Sequence, residues 1–284
     1  MDVRIGMDMR LWGETTGVAQ LPVLESLAGL GYHGVEIPVN GQGESVLKLL
    51  RVALSDLGLA ATASTRLPAE ANPVSPDPKV RARALDYLRR RIDEAALIGA
   101  ELLAGGLCQA QGCLSGTPPT DREWEWSRHC LQAAAEHAAG LGLALGLEFQ
   151  SRYDAHLVNT ASAAARMCRD VGLDNIGVTY NTFHAHLEEF NPARALPAAG
   201  DYLFHVRLSE SHRGELGRGQ VQWQETFATL AFLDYSGWLV VQALGIAEEP
   251  ARPEHIWRDS FDSRDALATD AIRMVESAVR IQRQ

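Results

Sequence analysis

Short apolar runs alternate along this chain with longer segments whose apolar positions recur at spacings of three and four. The first pattern predicts strands at 3–9 (VRIGMDM), 33–39 (HGVEIPV), 59–65 (LAATAST), 101–107 (ELLAGGL), 143–149 (LALGLEF), 176–181 (IGVTYN), 202–208 (YLFHVRL) and 238–244 (WLVVQAL). The second predicts helices, as in PKVRARALDYLRRRIDEAALIG (78–99). Glycines at 31, 99 and 142 close several helical segments just before the next strand, where a left-handed cap is needed. Eight strands separated by helices imply a parallel sheet, and an α/β chain of this kind closes most naturally into a (β/α)8 TIM barrel. A doubly wound open sheet is the competing architecture, but no GxGxxG follows the first strand, and no dinucleotide or other cofactor is expected.

Composition narrows the class. The chain has 284 residues, which suits one barrel domain over 1–284, and no Pro/Gly/Ser-rich linker divides it. With 46% hydrophobic and 22% charged residues it has enough apolar material for a core. The net charge of −10 gives no support for nucleic-acid binding and leaves a small-molecule substrate as the expected partner. Cys108, Cys113, Cys130 and Cys168 form no CxxC pair, and Cys108 and Cys113 alone are a poor metal signal. No run approaches a membrane span and the charged N-terminus lacks a signal-peptide pattern, so a cytoplasmic location is expected.

In a barrel the chemistry sits at the C-terminal strand ends and in the loops that follow them. The irregular stretches 67–78, 108–120 and 209–223 all fall there. Two segments are specific: EFQSRYDAHLVNTA (148–161) and VTYNTFHAHLEEFNP (178–192). They resemble the E-x-x-x-R-[FY]-E and D-T-F-H-x-x-x-E-E motifs of the ketohexose 3-epimerases acting on D-tagatose, D-psicose or L-ribulose, themselves xylose-isomerase-like barrels. ASTRLPAEAN (63–72), HVRLSESHRGELGRGQVQW (205–223) and WRD (257–259) are similar to further stretches of that family in the same order.

The resemblance implies a divalent metal held by Glu, Asp, His and Glu at the ends of the last four strands. Here those places carry Glu148, Asn181, Arg207 and Gln242. Arg213 and His184 match substrate-contacting residues of the family, and Asp154 replaces a substrate-contacting glutamate with one methylene less. Amide oxygens are poorer ligands for a hard dication than carboxylates, and a guanidinium has no lone pair to offer. The expectation is therefore that no metal binds, that Arg207 pairs with Glu148, and that the guanidinium takes the electrostatic role of the cation.

Epimerisation at C3 also needs two acid/base groups on opposite faces of the carbon, and Gln242 cannot titrate. The resulting expectation is a divergent, metal-independent isomerase or epimerase-like (or lyase) enzyme acting by proton transfer on a sugar-like or carboxylated hydroxy compound. Arg207 polarises the substrate while His184 and Glu148 move protons. Arg66, Asp154, Arg213, Asn181 and Gln242 bind the substrate, which the cations Arg66 and Arg207 would allow to be anionic. The alternatives are a non-catalytic small-molecule binder and an ordinary metal-dependent ketose 3-epimerase. Trp12, Trp223 and Phe183 are candidates for an apolar wall of the site, although Trp223 better suits the start of the seventh helix. Glu188 and Glu189 read as a solvated helix start, and family members associate through their barrel helices, which implies a homodimer.

Overall fold

The computed structural model describes residues 1–246, 256–258 and 260–283; Asp259 of the WRD stretch lies outside the described residues. Eight parallel strands close into one barrel in chain order, with the last pairing the first. They are β1 (Arg4–Asp8), β2 (Gly34–Pro38), β3 (Ala60–Ser64), β4 (Leu102–Gly105), β5 (Ala144–Glu148), β6 (Ile176–Asn181), β7 (Leu203–Leu208) and β8 (Trp238–Val241). Each lies within its expected run; β6 matches its run end to end and the other seven are shortened at one or both ends. The intervening helices are α1 (Leu21–Leu30), α2 (Glu44–Asp56), α3 (Pro78–Ile98), α4 (Asp121–Ala139), α5 (Ala161–Val171), α6 (Thr182–Glu188), α7 (Pro192–Ala195), α8 (Trp223–Phe232) and α9 (Arg264–Ile281). Among the described residues, no helix is long and apolar enough to cross a membrane.

Local chemistry sets the helix ends. Asp77, Thr120, Thr160 and Ser263 cap the N-termini of α3, α4, α5 and α9 with side-chain oxygens. Gly31 and Gly99 close α1 and α3 with φ of 95° and 77°, a conformation that costs a residue with a Cβ far more. At α4 the expectation is off by two residues: the helix ends at Gly140, and Gly142 takes the left-handed turn that follows.

The strands are buried on both faces, as parallel strands under a helical layer must be. Leu24, Leu47, Leu88, Leu131, Met167 and Val275 fill the layer between sheet and helices. The period-two alternation points Glu36 of β2, Glu148 of β5, Asn181 of β6 and both His205 and Arg207 of β7 into the barrel. Room for that polar layer comes from below. A Cβ on Gly146 would stand 2.3 Å from Thr179 Oγ1, so β5 and β6 approach only because that position carries no side chain.

Gly146→Val is therefore expected to overpack the barrel and cost about 1–3 kcal/mol, read as a lower urea midpoint at unchanged m.

Candidate functional site

At the C-terminal mouth lies a cavity of about 490 Å³, counting the space open to solvent. Of the eight expected site residues, Arg66, Glu148, His184, Arg207, Arg213 and Gln242 border it. Asn181 sits beneath the floor, 1% exposed. Asp154 does not border the cavity: it accepts hydrogen bonds from Ser151 Oγ and Gln111 Nε2 and stands 3.9 Å behind His184 Nδ1. It shapes the loop after β5 rather than facing a substrate.

Arg207 is the centre of the floor. Its Nη1 lies 2.8 Å from Glu148 Oε1, the pair the sequence led us to expect. Its Nε donates to Glu36 Oε1 at 2.9 Å, and the other oxygen of Glu36 lies 2.9 Å from His205 Nε2. Glu36 was not foreseen. The available signal was an acid inside an apolar strand, at a position that a parallel sheet buries. Burial alone would push the carboxyl of Glu36 up, but Arg207 and His205 outweigh it and hold it at about 2. Glu148 follows the same balance: burial raises its pKa, while Arg207 and then His184 and Asn181 bring it well below the usual carboxylate range.

The two amides are locked by their partners. Asn181 Oδ1 accepts the backbone N–H of Phe183, capping α6, which turns its Nδ2 toward Glu148 Oε1 (2.7 Å) and Gln242 Oε1 (2.9 Å). Gln242 Oε1 also accepts from Arg213 Nη1, and its Nε2 donates to Asp8 Oδ2. Asp8 in turn binds Arg10. This arrangement tests the fit of a metal. Asn181 presents hydrogens, the oxygen of Gln242 is taken by two donors, and Arg207 has no lone pair. Only Glu148 Oε2 is left as an oxygen ligand, since both donors on Glu148 engage Oε1. One oxygen does not fit a hard dication that requires several. Among the described residues, no group of three or more His, Cys, Asp or Glu could hold a metal ion.

His184 departs from the expected proton carrier. Burial and the charge of Arg213 lower its pKa to about 4, so the ring is neutral near pH 7. The backbone N–H of Ser151 donates to Nδ1 at 3.1 Å. A backbone donor cannot swing away, so the proton of the neutral ring belongs on Nε2, which lies 3.3 Å from Arg213 Nη2. His184 is thus a hydrogen-bond donor to the cavity.

Arg213 rides on the loop after β7 with φ of 62°, rare for a residue with a side chain. Glu210 fixes that loop by accepting from the backbone N–H groups of Ser211, Gly217 and Val221 and from Trp223 Nε1. Phe183 lies 3.7 Å below the Arg213 guanidinium. Neither Trp12 nor Trp223 borders the cavity, and Trp223 begins α8. Glu188 ends α6 rather than starting a helix, and binds Arg152; Glu189 accepts from the Ala161 N–H that opens α5.

Glu36→Ala, which leaves Arg207 Nε and His205 facing a void, is expected to cost about 3–5 kcal/mol by urea denaturation. The pH dependence has a definite sign. His184 is neutral in the fold down to about 4 but takes a proton from about 6.5 when unfolded. Glu36 releases its proton in the fold down to about 2 but binds one near 4.5 when unfolded. In both windows the unfolded chain holds more protons, so the thermal midpoint should fall as pH drops below about 6.5 and fall further below about 4.5. His184→Gln should flatten the first descent.

Comparison with known proteins agrees with the barrel fold. Residues 24–267 match the family described as xylose isomerase-like TIM barrel. The chain is 29% identical over 272 residues to an L-ribulose 3-epimerase of Mesorhizobium japonicum, covering 94% of this chain and 91% of the relative. It is 27% identical over 255 residues to a D-psicose 3-epimerase of Agrobacterium fabrum, covering 88% of each. A solved L-ribulose 3-epimerase superposes with a TM-score of 0.93 at 28% identity, covering 100% of this chain and 96% of that one. The chain belongs to the xylose isomerase-like TIM barrel family, as a sugar epimerase/isomerase-like member close to the ketose 3-epimerases.

Proposed function

We propose that this protein is an isomerase or epimerase-like enzyme that moves a proton on a sugar-like hydroxy carbonyl compound without a divalent metal. One observation carries the reading. Arg207 is clamped by Glu36 and Glu148 through Nε and Nη1, while its Nη2 has no hydrogen-bond partner among the described residues although the residue is 1% exposed and borders the cavity. A buried charged donor left unpaired is costly, so an acceptor from a ligand belongs there.

The chemistry then follows from the chain's own atoms. A substrate carbonyl oxygen accepts from Arg207 Nη2. Glu148 Oε2, which takes no protein hydrogen bond, removes the proton from the neighbouring hydroxyl-bearing carbon. The C–H pair becomes the new C=C bond, the carbonyl pair moves to oxygen, and the guanidinium stabilises the enediolate. A carboxylate held this acidic is a weak base, so most of the driving force has to come from that stabilisation. Returning the proton from Glu148 to the adjacent carbon, while the hydroxyl proton passes from the first carbon's oxygen to the former carbonyl oxygen, completes an isomerisation on one face: the C=C pair forms the new C–H bond and the oxygen that lost its proton becomes the new carbonyl. Inversion at one carbon needs a donor on the other face, a task Gln242 cannot perform.

The names of the relatives, L-ribulose and D-psicose 3-epimerase, support a sugar as the substrate class. A non-catalytic binder is the second reading, favoured by Asn181 and Gln242, which keep the shape of carboxylates without their charge.

Deuterium incorporation from D2O into ketoses, followed by NMR, tests the assignment. Exchange should survive chelator treatment and fall about 100-fold or more in Glu148→Gln and in Arg207→Met. Binding without exchange establishes the second reading. Exchange that appears only with added Mn²⁺ overturns metal independence and returns the protein to the metal-dependent ketose 3-epimerases.

A further inference from the structure

We infer that Glu14 is the second acid/base group of this site, trading a proton with the reacting carbon on the face opposite Glu148 and so allowing that carbon to be inverted. The assignment rests on the proton-transfer reading above and supplies the donor that reading lacks.

The cavity offers one candidate. Among the described residues that border it, only Glu14, Glu148 and His184 have side chains that exchange protons in general acid–base chemistry; the others are arginines, amides, hydroxyls, Pro38 and Gly106. His184 is neutral, with its ring proton on Nε2, and it follows β6, the strand beside the β5 that carries Glu148. It shares the side of the base. Glu14 is the remaining group.

Barrel topology places Glu14 across from them. In a closed ring of eight strands β1 stands opposite β5, and β2 opposite β6. Glu14 lies in the segment between β1 and α1. Its main-chain oxygen accepts from Asn40 Nδ2 at 2.7 Å, just after β2, and its carboxylate accepts from Arg66 Nη2, just after β3. These bonds tie it to the wall above β1, β2 and β3, whereas Glu148 and His184 belong to the wall above β5 and β6. Arg207 spans the floor between, since it reaches Glu36 of β2 and Glu148 of β5. A carbonyl held by Arg207 therefore turns the two faces of its neighbouring carbon toward opposite walls. The two carboxylates also differ in their access to water. The side chains of Glu14 and Arg66 are 25% and 29% exposed, against 8% and 2% for Glu148 and Arg207. Solvent screens the outer pair and resupplies its proton between turnovers, while the inner carboxylate stays ionised beside Arg207.

The steps balance. Glu148 Oε2 takes the proton of the hydroxyl-bearing carbon, the C–H pair becomes C=C, and the carbonyl pair moves to the oxygen beside Arg207. Protonated Glu14 then gives its proton to the opposite face of the same carbon. The C=C pair forms the new C–H bond, and the oxygen pair restores the carbonyl. The product is the epimer, and the two carboxylates have exchanged protonation states until solvent resets them. The reverse reaction runs the same steps with the roles exchanged. An aldose–ketose isomerisation needs one face only, so a carboxylate on each wall suits inversion.

The test separates inversion from exchange. D-psicose and L-ribulose are incubated with the protein in D2O, and NMR follows two initial rates: deuterium entering C3 with configuration kept, and formation of the C3 epimer. In Glu14→Gln the ratio of epimer to retained exchange should fall about 100-fold, the scale of a lost general acid. Glu14→Asp should give an intermediate ratio, and added formate should restore part of the inversion lost in Glu14→Ala. Glu148→Gln should stop both processes. Circular dichroism and the thermal midpoint establish that each variant is folded, and if Glu14→Gln fails this check the ratio is read in Glu14→Asp. Inversion that survives Glu14→Gln, a wild type that exchanges only with retention, or a folded variant that loses exchange and inversion in equal proportion overturns the assignment and leaves the proton-transfer reading standing. Absence of C3 exchange from the wild type on both ketoses sinks that reading, and the assignment with it.

Discussion

A guanidinium held between two carboxylates inside a barrel is the constraint on which the rest of this site depends. Arg207 is 1% exposed and would not tolerate that burial unpaired. Glu36 from β2 and Glu148 from β5 grip it from across the barrel, and the opposing charges more than offset the penalty, keeping its pKa above the ordinary value. Such a triad gains little net stability over an apolar filling, but losing one member exposes the remaining charges to an apolar surround. The fold therefore holds Arg207 in one orientation, at the border of the cavity.

Everything beside the triad adapts to it. With a cation supplied by the chain, further carboxylates around it would have left an excess of negative charge. Asn181 and Gln242 instead bridge neighbouring groups with their own N–H and C=O, one to Glu148, the other to Asp8 and Arg213. Asn181 also caps α6, so the residue that orients Glu148 starts the helix that carries His184. The cavity floor and the local helix geometry are thus one hydrogen-bonded unit. The loop after β5 joins the same unit, since the backbone N–H of Ser151 donates to His184 Nδ1.

The architecture was legible in the sequence because hydrophobic periodicity reports burial directly. All eight strands fall within their expected runs, and Gly31 and Gly99 cap the helices they were expected to cap. The Glu148–Arg207 pair was legible from motif positions at the ends of β5 and β7. What escaped was the other half of each interaction. Glu36 lies 171 positions from Arg207 in sequence, and only closure of the barrel brings β2 across from β7. His184 was expected to titrate near neutrality, because its residue type says nothing of burial or of Arg213 nearby. Asp154 was expected to touch substrate, but a side chain one methylene shorter reaches Ser151 and Gln111 instead. Sequence reports which groups are present along the strand ends; their partners are a property of three-dimensional closure.

A guanidinium and a dication differ in more than charge. A metal ion attracts oxygen from any direction and can hold both oxygens of an enediolate at once. A guanidinium acts only in its plane and through fixed N–H vectors, and here two of its three nitrogens are committed to carboxylates. It can serve one substrate oxygen well and a second only if another donor stands nearby. Arg213 and His184 border the same cavity, and they are set by loop and helix rather than by the triad. The cavity wall is consequently separated from the electrostatic core: the strands fix Arg207 between Glu36 and Glu148, and the segments that follow the strands place Arg213 and His184.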